Sequence, residues 1–163
     1  MIYFISDTHF EHENVIKYCK RPFNNIEEMN ETLISNWNSV VSDDDIIYHL
    51  GDFCLTDKTS IKKIASKLNG HKILVRGNHD RGSVSFYESV GFEVLIHAPI
   101  KLEEEKLPLS HVPVPDTRMS EGYIHNKLLN DDYPTNLYDK DKYFNVSCDV
   151  LDFKPISLTR IKN

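Results

Sequence analysis

The sequence predicts an α/β domain in layered α/β/β/α packing around two sheets. Three observations lead there. Short apolar runs at 2–5, 46–50, 73–75 and 107–109 each lead into Ser, Asp, Gly or Arg-Gly, the pattern of a buried strand running into a loop. Segments with apolar residues at helical spacing separate the first three runs. From Phe92 onward the texture is mainly that of strands, so the order reads βαβαβα followed by β-hairpins.

The first strand is read at 2–6. A short helix at 14–19 follows and stops near Pro22. Asn25 caps the next helix, and Glu28, three residues on, completes a capping box. Ile26, Met29, Leu33, Trp37 and Val40 then recur at helical spacing and form one apolar face. A second strand spans 45–50. Thr59 or Ser60 opens a further helix, with Ile61, Ile64, Ala65 and Leu68 inward and Gly70 just past its end. The third strand is 72–76, and a helix near 84–90 stops at Gly91. Strands are expected at 92–98, 100–104, 106–110, 145–153 and 156–159. With no repeat and no linker, residues 1–163 read as a single domain.

Composition narrows the function classes. A chain of 163 residues with net charge −6 falls within one ordinary domain, roughly 100–200 residues. It does not present a generic basic face for duplex nucleic acid. No stretch approaches the roughly 20 apolar residues of a membrane span, and no signal peptide is expected. Cys19, Cys54 and Cys148 are few and widely spaced, which suggests reduced thiols and a cytoplasmic setting.

Five short stretches carry candidate chemistry: Asp7-Thr8-His9, Gly51-Asp52, Gly77-Asn78-His79-Asp80, Ser110-His111 and Gly122-Tyr123-Ile124-His125. The first four follow apolar runs, and strand ends meeting at one sheet edge bring such side chains together. Carboxylate, amide and imidazole donors without thiolate suit Mn, Fe, Zn or Ni. Taken singly, Asp7 and Asp52 could equally be helix caps or turn formers; the Gly77–Asp80 block beside them favours a metal site. His79 is the candidate acid, with Gly77 permitting a sharp turn before it. Asp80 either orients the His79 ring or caps the following helix, or does both. His12 and Asn14 are substrate contacts at a pocket mouth or, more simply, a surface histidine and a helix cap. His49 reads as a hydrogen-bonded core residue. His71, His97 and Trp37 read as structural, and the acidic run 103–105 as a solvated hairpin turn.

In order and spacing these blocks resemble the calcineurin-like metallophosphoesterase superfamily, and specifically its small single-domain bacterial and phage members. Gly-Asn-His-Asp directly after Lys72-Ile73-Leu74-Val75-Arg76 is the most specific part. Phe10-Glu11-His12-Glu13-Asn14, His49-Leu50-Gly51-Asp52-Phe53 and the ending Asp152-Phe153-Lys154-Pro155-Ile156-Ser157-Leu158 are similar too. The resemblance implies the same α/β/β/α sandwich and a dinuclear centre of two divalent ions. Manganese is the expected ion, with Fe, Zn, Ni or Mg as alternatives. Asp52 would bridge the ions; Asp7, His9 and His125 would hold the first, Asn78 and His111 the second. The implied reaction is hydrolysis of a phosphate ester, as a phosphodiesterase on a small molecule. His79 would assist the leaving group, and Asn78, His79 and His12 would touch substrate. Two alternatives stand beside this: a metal-poor scaffold that binds a partner, and a metal-dependent nuclease, which the negative charge disfavours.

The pattern breaks at its last block, where the family has Gly-His-X-His. Either Tyr123 takes the place of a histidine, or residues are missing before His125. Val112–Glu121 contains two prolines and no apolar run of four. One strand is therefore expected to be missing or distorted near 112–125, leaving the second ion one ligand poorer.

Overall fold

The computed structural model describes residues 1–96, 100–102, 107–111, 122–124 and 143–162; of 122–124 and 143 it describes the backbone alone. Strand β1 (Ile2–Ile5) is followed by α1 (Glu13–Tyr18), α2 (Ile26–Asn38), β2 (Ile46–His49), α3 (Lys58–Ala65), β3 (His71–Val75), α4 (Val84–Ser89) and β4 (Phe92–Leu95). Then come β5 (Ile100–Leu102), β6 (Leu107–Leu109), β7 (Gly122–Ile124), β8 (Tyr143–Asn145), a 3-10 turn at Cys148–Val150, β9 (Ile156–Ser157) and α5 (Leu158–Ile161).

The strands form two sheets. The first has the order β4-β3-β2-β1-β9, the second β5-β6-β7-β8. In the first sheet β1 to β4 are parallel, with Ile5 opposite His49 and His49 opposite Leu74. Parallel neighbours need crossover connections, and α2 and α3 supply them. Because side chains alternate along a strand, β1 sends Tyr3 and Ile5 into a core shared with the helices, which holds Leu33, Trp37 and Ile61. Phe4 goes the other way, into a core with Leu50 and Val75 from the first sheet's strands and their ends, Leu107 and Leu109 from the second, and Val146 just past β8. The two faces of one sheet thus fill two separate interiors, which is the expected layered architecture.

Several local expectations shift. Asn25 caps α2 as read, its side chain accepting from the Glu28 amide. Asp57, two residues earlier than expected, caps α3 by accepting from the Thr59 and Ser60 amides. It outcompetes the hydroxyls because a carboxylate accepts two amides at once. Asn14 lies inside α1, and His12 occupies its cap position. The run expected as a strand at 145–153 turns into the 3-10 element, with Asp152 and Phe153 at φ 50° and 58°. Only two residues of 156–159 pair with β1 before α5 begins. Where a strand was expected to be missing or distorted, a short one is present: β7 at Gly122–Ile124 pairs in parallel with both β6 and β8. Its three residues are too few to show as an apolar run.

His49 is a core residue as expected. It is fully buried, with Nε2 2.9 Å from the Thr8 hydroxyl and its ring against Trp37 and Phe53. Burial pushes its pKa down to about 3, outweighing the nearby Asp52 charge. The unfolded chain takes up a proton near pH 6.5, while the folded one refuses it until about pH 3. The resulting stability is complete above the unfolded value and is lost as pH falls toward 3. At pH 5 the expected loss from this group is about 2 kcal/mol. Urea unfolding of metal-stripped protein at pH 7.5 and pH 5 should show this loss in the parent and much less of it in His49→Gln.

Candidate metal centre

The site is built where β1, β2, β3 and β6 end at one edge of the layered sheets. Beyond the strands proper, the first two loops stay zipped together by backbone bonds. Leu50 N–H donates to Ile5, Asp7 N–H to Gly51, His9 N–H to Asp52 and Phe10 N–H to Phe53, at 2.8–3.0 Å. Asp7, His9 and Asp52 hold left-handed backbone angles, φ 59°, 48° and 57°. That conformation is uncommon for residues other than glycine and costs of order 1 kcal/mol each. It turns each side chain out of the strand's alternation and toward a common point.

Two glycines make room for that convergence. A Cβ on Gly51, itself at φ +96°, would lie 2.5 Å from His111 Nδ1. A Cβ on Gly77 would lie 2.5 Å from Asp52 Oδ1 and 2.6 Å from Asp52 N. Gly77 is therefore required for close approach to Asp52 and not, as the sequence suggested, for an unusual turn.

Donor atoms of Asp7, Asp52 and His111, all buried, come within 4.8 Å of one another. His9 Nε2 lies 3.6 Å from Asp52 Oδ2, and His111 Nε2 3.5 Å from Asp52 Oδ1. Asp52 thus stands between the two imidazoles, one oxygen toward each. Asn78 Oδ1 approaches His111 Nε2 at 2.9 Å. On its far side His111 Nδ1 lies 2.8 Å from the Leu50 carbonyl. A carbonyl only accepts, so Nδ1 carries a proton, and in the neutral ring Nε2 then turns its lone pair toward the oxygens of Asp52 and Asn78. Nitrogen and oxygen lone pairs aimed at one another fit a cation between them. Carboxylate, amide and imidazole together fit a divalent ion of borderline hardness.

His79 extends from the same cluster. Its amide donates to Asp52 Oδ1 at 3.0 Å, and its half-exposed ring places Nε2 3.9 Å from Asp52 Oδ2. The ring also stands edge-on to His9, centroids 5.5 Å apart. His12 lies on the other side of His9, edge-on at 5.6 Å. It is half-buried at the rim of the cluster, closer to it than a plain surface histidine would be. His125 and His97 lie outside the described residues, as does the 103–105 run; His71 is exposed and pairs with Glu93 at 3.3 Å.

Asp80 departs from expectation. Its carboxylate neither orients His79 nor caps α4, which Ser83 caps instead. One oxygen accepts from the amides of Asp52 and Gly77, the other from Phe53, at 2.8–2.9 Å. It fastens the 51–53 loop to the 77–80 loop. Burial raises its pKa, against the three amides that favour the charged form.

A second fastening involves residues that no motif signals. Arg21, whose side chain is fully buried, donates from Nη2 to the Asp7 carbonyl at 2.6 Å and from Nη1 to the Thr8 carbonyl at 2.8 Å. Nε and Nη2 also grip Asp149 in a two-point pair at 2.9 and 2.8 Å. Burial disfavours the guanidinium charge, but its anionic surroundings raise the pKa overall. Burial keeps the neighbouring Cys148 a neutral thiol, so Asp149 is the counter-charge. Nothing local in the sequence signals this pair: Asp149 follows Ser147 and Cys148 without a periodic pattern.

The chain is 44% identical over 165 residues to an uncharacterized protein of Methanocaldococcus jannaschii, covering 98% of this chain and 88% of that one. A gene 66 protein of Mycobacterium phage L5 matches at 35% over 81 residues, 48% of this chain and 39% of its own. The crystal structure of a protein of unknown function from Aquifex aeolicus superposes with TM-score 0.75 at 28% identity, covering 99% of this chain and 97% of that one. A nuclease, MPE, from Pseudomonas putida shares the fold at TM-score 0.52 and 19% identity, over 76% of this chain and 59% of its own. The calcineurin-like phosphoesterase model matches residues 1–157, which takes in every strand end that builds the cluster, and the chain belongs to that family.

Proposed function

We propose that this protein hydrolyses phosphate esters, as a phosphodiesterase on a small molecule, with two divalent ions held unequally. The observation that carries the reading is the convergence of Asp7, Asp52 and His111 on one buried point, with His9 and Asn78 at its flanks. Asp7 and His9, joined by His125, would hold one ion, and Asn78 and His111 the other; Asp52, with an oxygen toward each side, would serve both. When bound, such ions supply Lewis-acid polarisation of the phosphoryl group and of attacking water. The chain's own part is to fix these donors in place and to present His79. Imidazolium there can stabilise phosphoryl oxygens or hand a proton to the leaving oxygen.

The direct test is metal content after purification, followed by a screen of phosphomonoesters, diesters and cyclic nucleotides with added manganese. Turnover of small diesters is the expected result. Turnover of oligonucleotides alone would move the assignment to a nuclease, and absence of both metal and turnover would favour the scaffold reading.

Metal binding should be ordered and unequal. The side holding Asn78 and His111 has one carboxylate, shared, whereas the side holding Asp7 and His9 has two. Calorimetric titration with manganese should resolve a tight step and a weaker one, and two equally tight steps would contradict this ligand division. His79→Ala should lower turnover of alkyl esters about 10²–10⁴-fold while sparing nitrophenyl esters, whose leaving groups need no acid. Metal content should not change. An unaltered rate on an alkyl ester would remove His79 from the leaving-group role.

A further inference from the structure

We propose that a cavity beside His79 receives the leaving group, and that it selects a compact arm carrying its own negative charge. This rests on the phosphoesterase reading above. The cavity encloses about 240 Å³ and is lined by Cys54 and Thr56 after β2, by His79 and Arg81 after β3, and by Tyr87 on α4. His79 belongs both to this wall and to the metal cluster, where its Nε2 stands 3.9 Å from Asp52 Oδ2. A phosphoryl group at the cluster would therefore have the cavity on the His79 side, where a proton donor meets a departing oxygen.

One charged group in the wall can meet a ligand. The Tyr87 hydroxyl is buried beside the Gly82 amide, and the residue gives the cavity an aromatic wall. Among the described residues the exposed Arg81 guanidinium makes no hydrogen bond or ion pair; its amide donates to the His79 carbonyl. The acids nearby are committed elsewhere, Asp57 to the α3 amides, Asp80 to the loop amides and Glu11 to the Asn30 side chain. Cys54 is held neutral by burial. Gly82 keeps the wall close, since a Cβ there would lie 2.7 Å from the Tyr87 ring. A departing oxygen toward His79 and an anion toward Arg81 describe a small acid-bearing alcohol. In the reaction water adds to phosphorus, the P–O bond to the arm breaks, and the arm departs as the free alcohol with a proton.

The test uses two methyl phosphodiesters, one of phenol and one of 3-carboxyphenol, which differ little in leaving-group basicity. With the manganese-loaded protein, kcat/KM should favour the carboxyphenyl ester about tenfold, the scale of one charge-assisted contact. Arg81→Ala should bring that ratio close to one, and Tyr87→Phe should leave it unchanged. Separately, 3-hydroxybenzoate titrated onto the metal-stripped protein should move the amide NMR signals of Gly82 and Tyr87 in the parent and not in Arg81→Ala. Equal rates for the two esters, or a preference that survives Arg81→Ala, would overturn the proposal. If 3-hydroxybenzoate binds but neither ester is hydrolysed under any metal, the phosphoesterase reading fails and the leaving-group role with it, while the anion pocket remains.

Discussion

Asp52→Asn is expected to abolish measurable manganese binding on at least one side of the cluster and to lower esterase turnover by about three orders of magnitude. Asp52 alone faces both imidazoles, with oxygens 3.6 Å from His9 and 3.5 Å from His111. Asparagine keeps one oxygen, which can still accept the His79 amide, and it tolerates the left-handed angle better than most residues. What it loses is the second anionic oxygen. Metal polarisation is worth several kcal/mol of transition-state stabilisation, which sets the size of the effect. The metal-stripped variant should melt no lower than the stripped parent, because the Asp7 and Asp52 carboxylates no longer repel across the cluster. A rate within tenfold of the parent, or a large fall in melting temperature without metal, would contradict these roles.

Arg21→Met is expected to destabilise the fold by about 3 kcal/mol. It strands Asp149 without its partner and removes the donors to two carbonyls in a buried loop. For a protein of this size that corresponds to a fall of about 10 °C in melting temperature. Methionine fills much of the volume, so the loss isolates the charge and its hydrogen bonds from simple packing. Asp149→Asn should be milder, since its remaining oxygen still accepts from the guanidinium. Manganese affinity should drop in Arg21→Met as well, by about 10–100-fold, the usual effect of loosening groups that hold metal ligands in place. Thermal melting and titration on the same samples would separate the two effects.

What the sequence displayed and what it concealed divide along a physical line. Strand ends and ligands were visible because β1, β2 and β3 each follow the same local grammar, an apolar run closed by a polar turn. The α2 cap was visible because Asn25 and Glu28 interact three residues apart. Arg21 and Asp149 were invisible because their partnership spans 128 residues and leaves no local periodicity. Asp80 was misread for a related reason. Its position after His79 suggested a bond to its neighbour, whereas its oxygens reach amides 27 and 28 residues away as well as Gly77. The short β7 could be read only as a missing or distorted strand because three residues cannot establish an alternation, and it exists through pairing on both edges. His12 was left between a substrate contact and a surface histidine, since nothing in its surroundings reveals that the left-handed turn at His9 brings the two rings together.

The two fastenings of the ligand loops also determine what an ion does to the protein on binding. Asp80 ties the second and third loops, and Arg21 the first, using only groups of the chain itself. The donors are therefore arranged before any ion arrives, and little folding is coupled to its arrival. A rise in melting temperature on adding manganese should then report affinity directly, through RT ln(1 + [L]/Kd). At a hundredfold excess over Kd this is about 2.7 kcal/mol, or roughly 5–10 °C for a chain of this length. The same scan run across several divalent ions would rank them by true preference, without a substrate and before the reaction is identified.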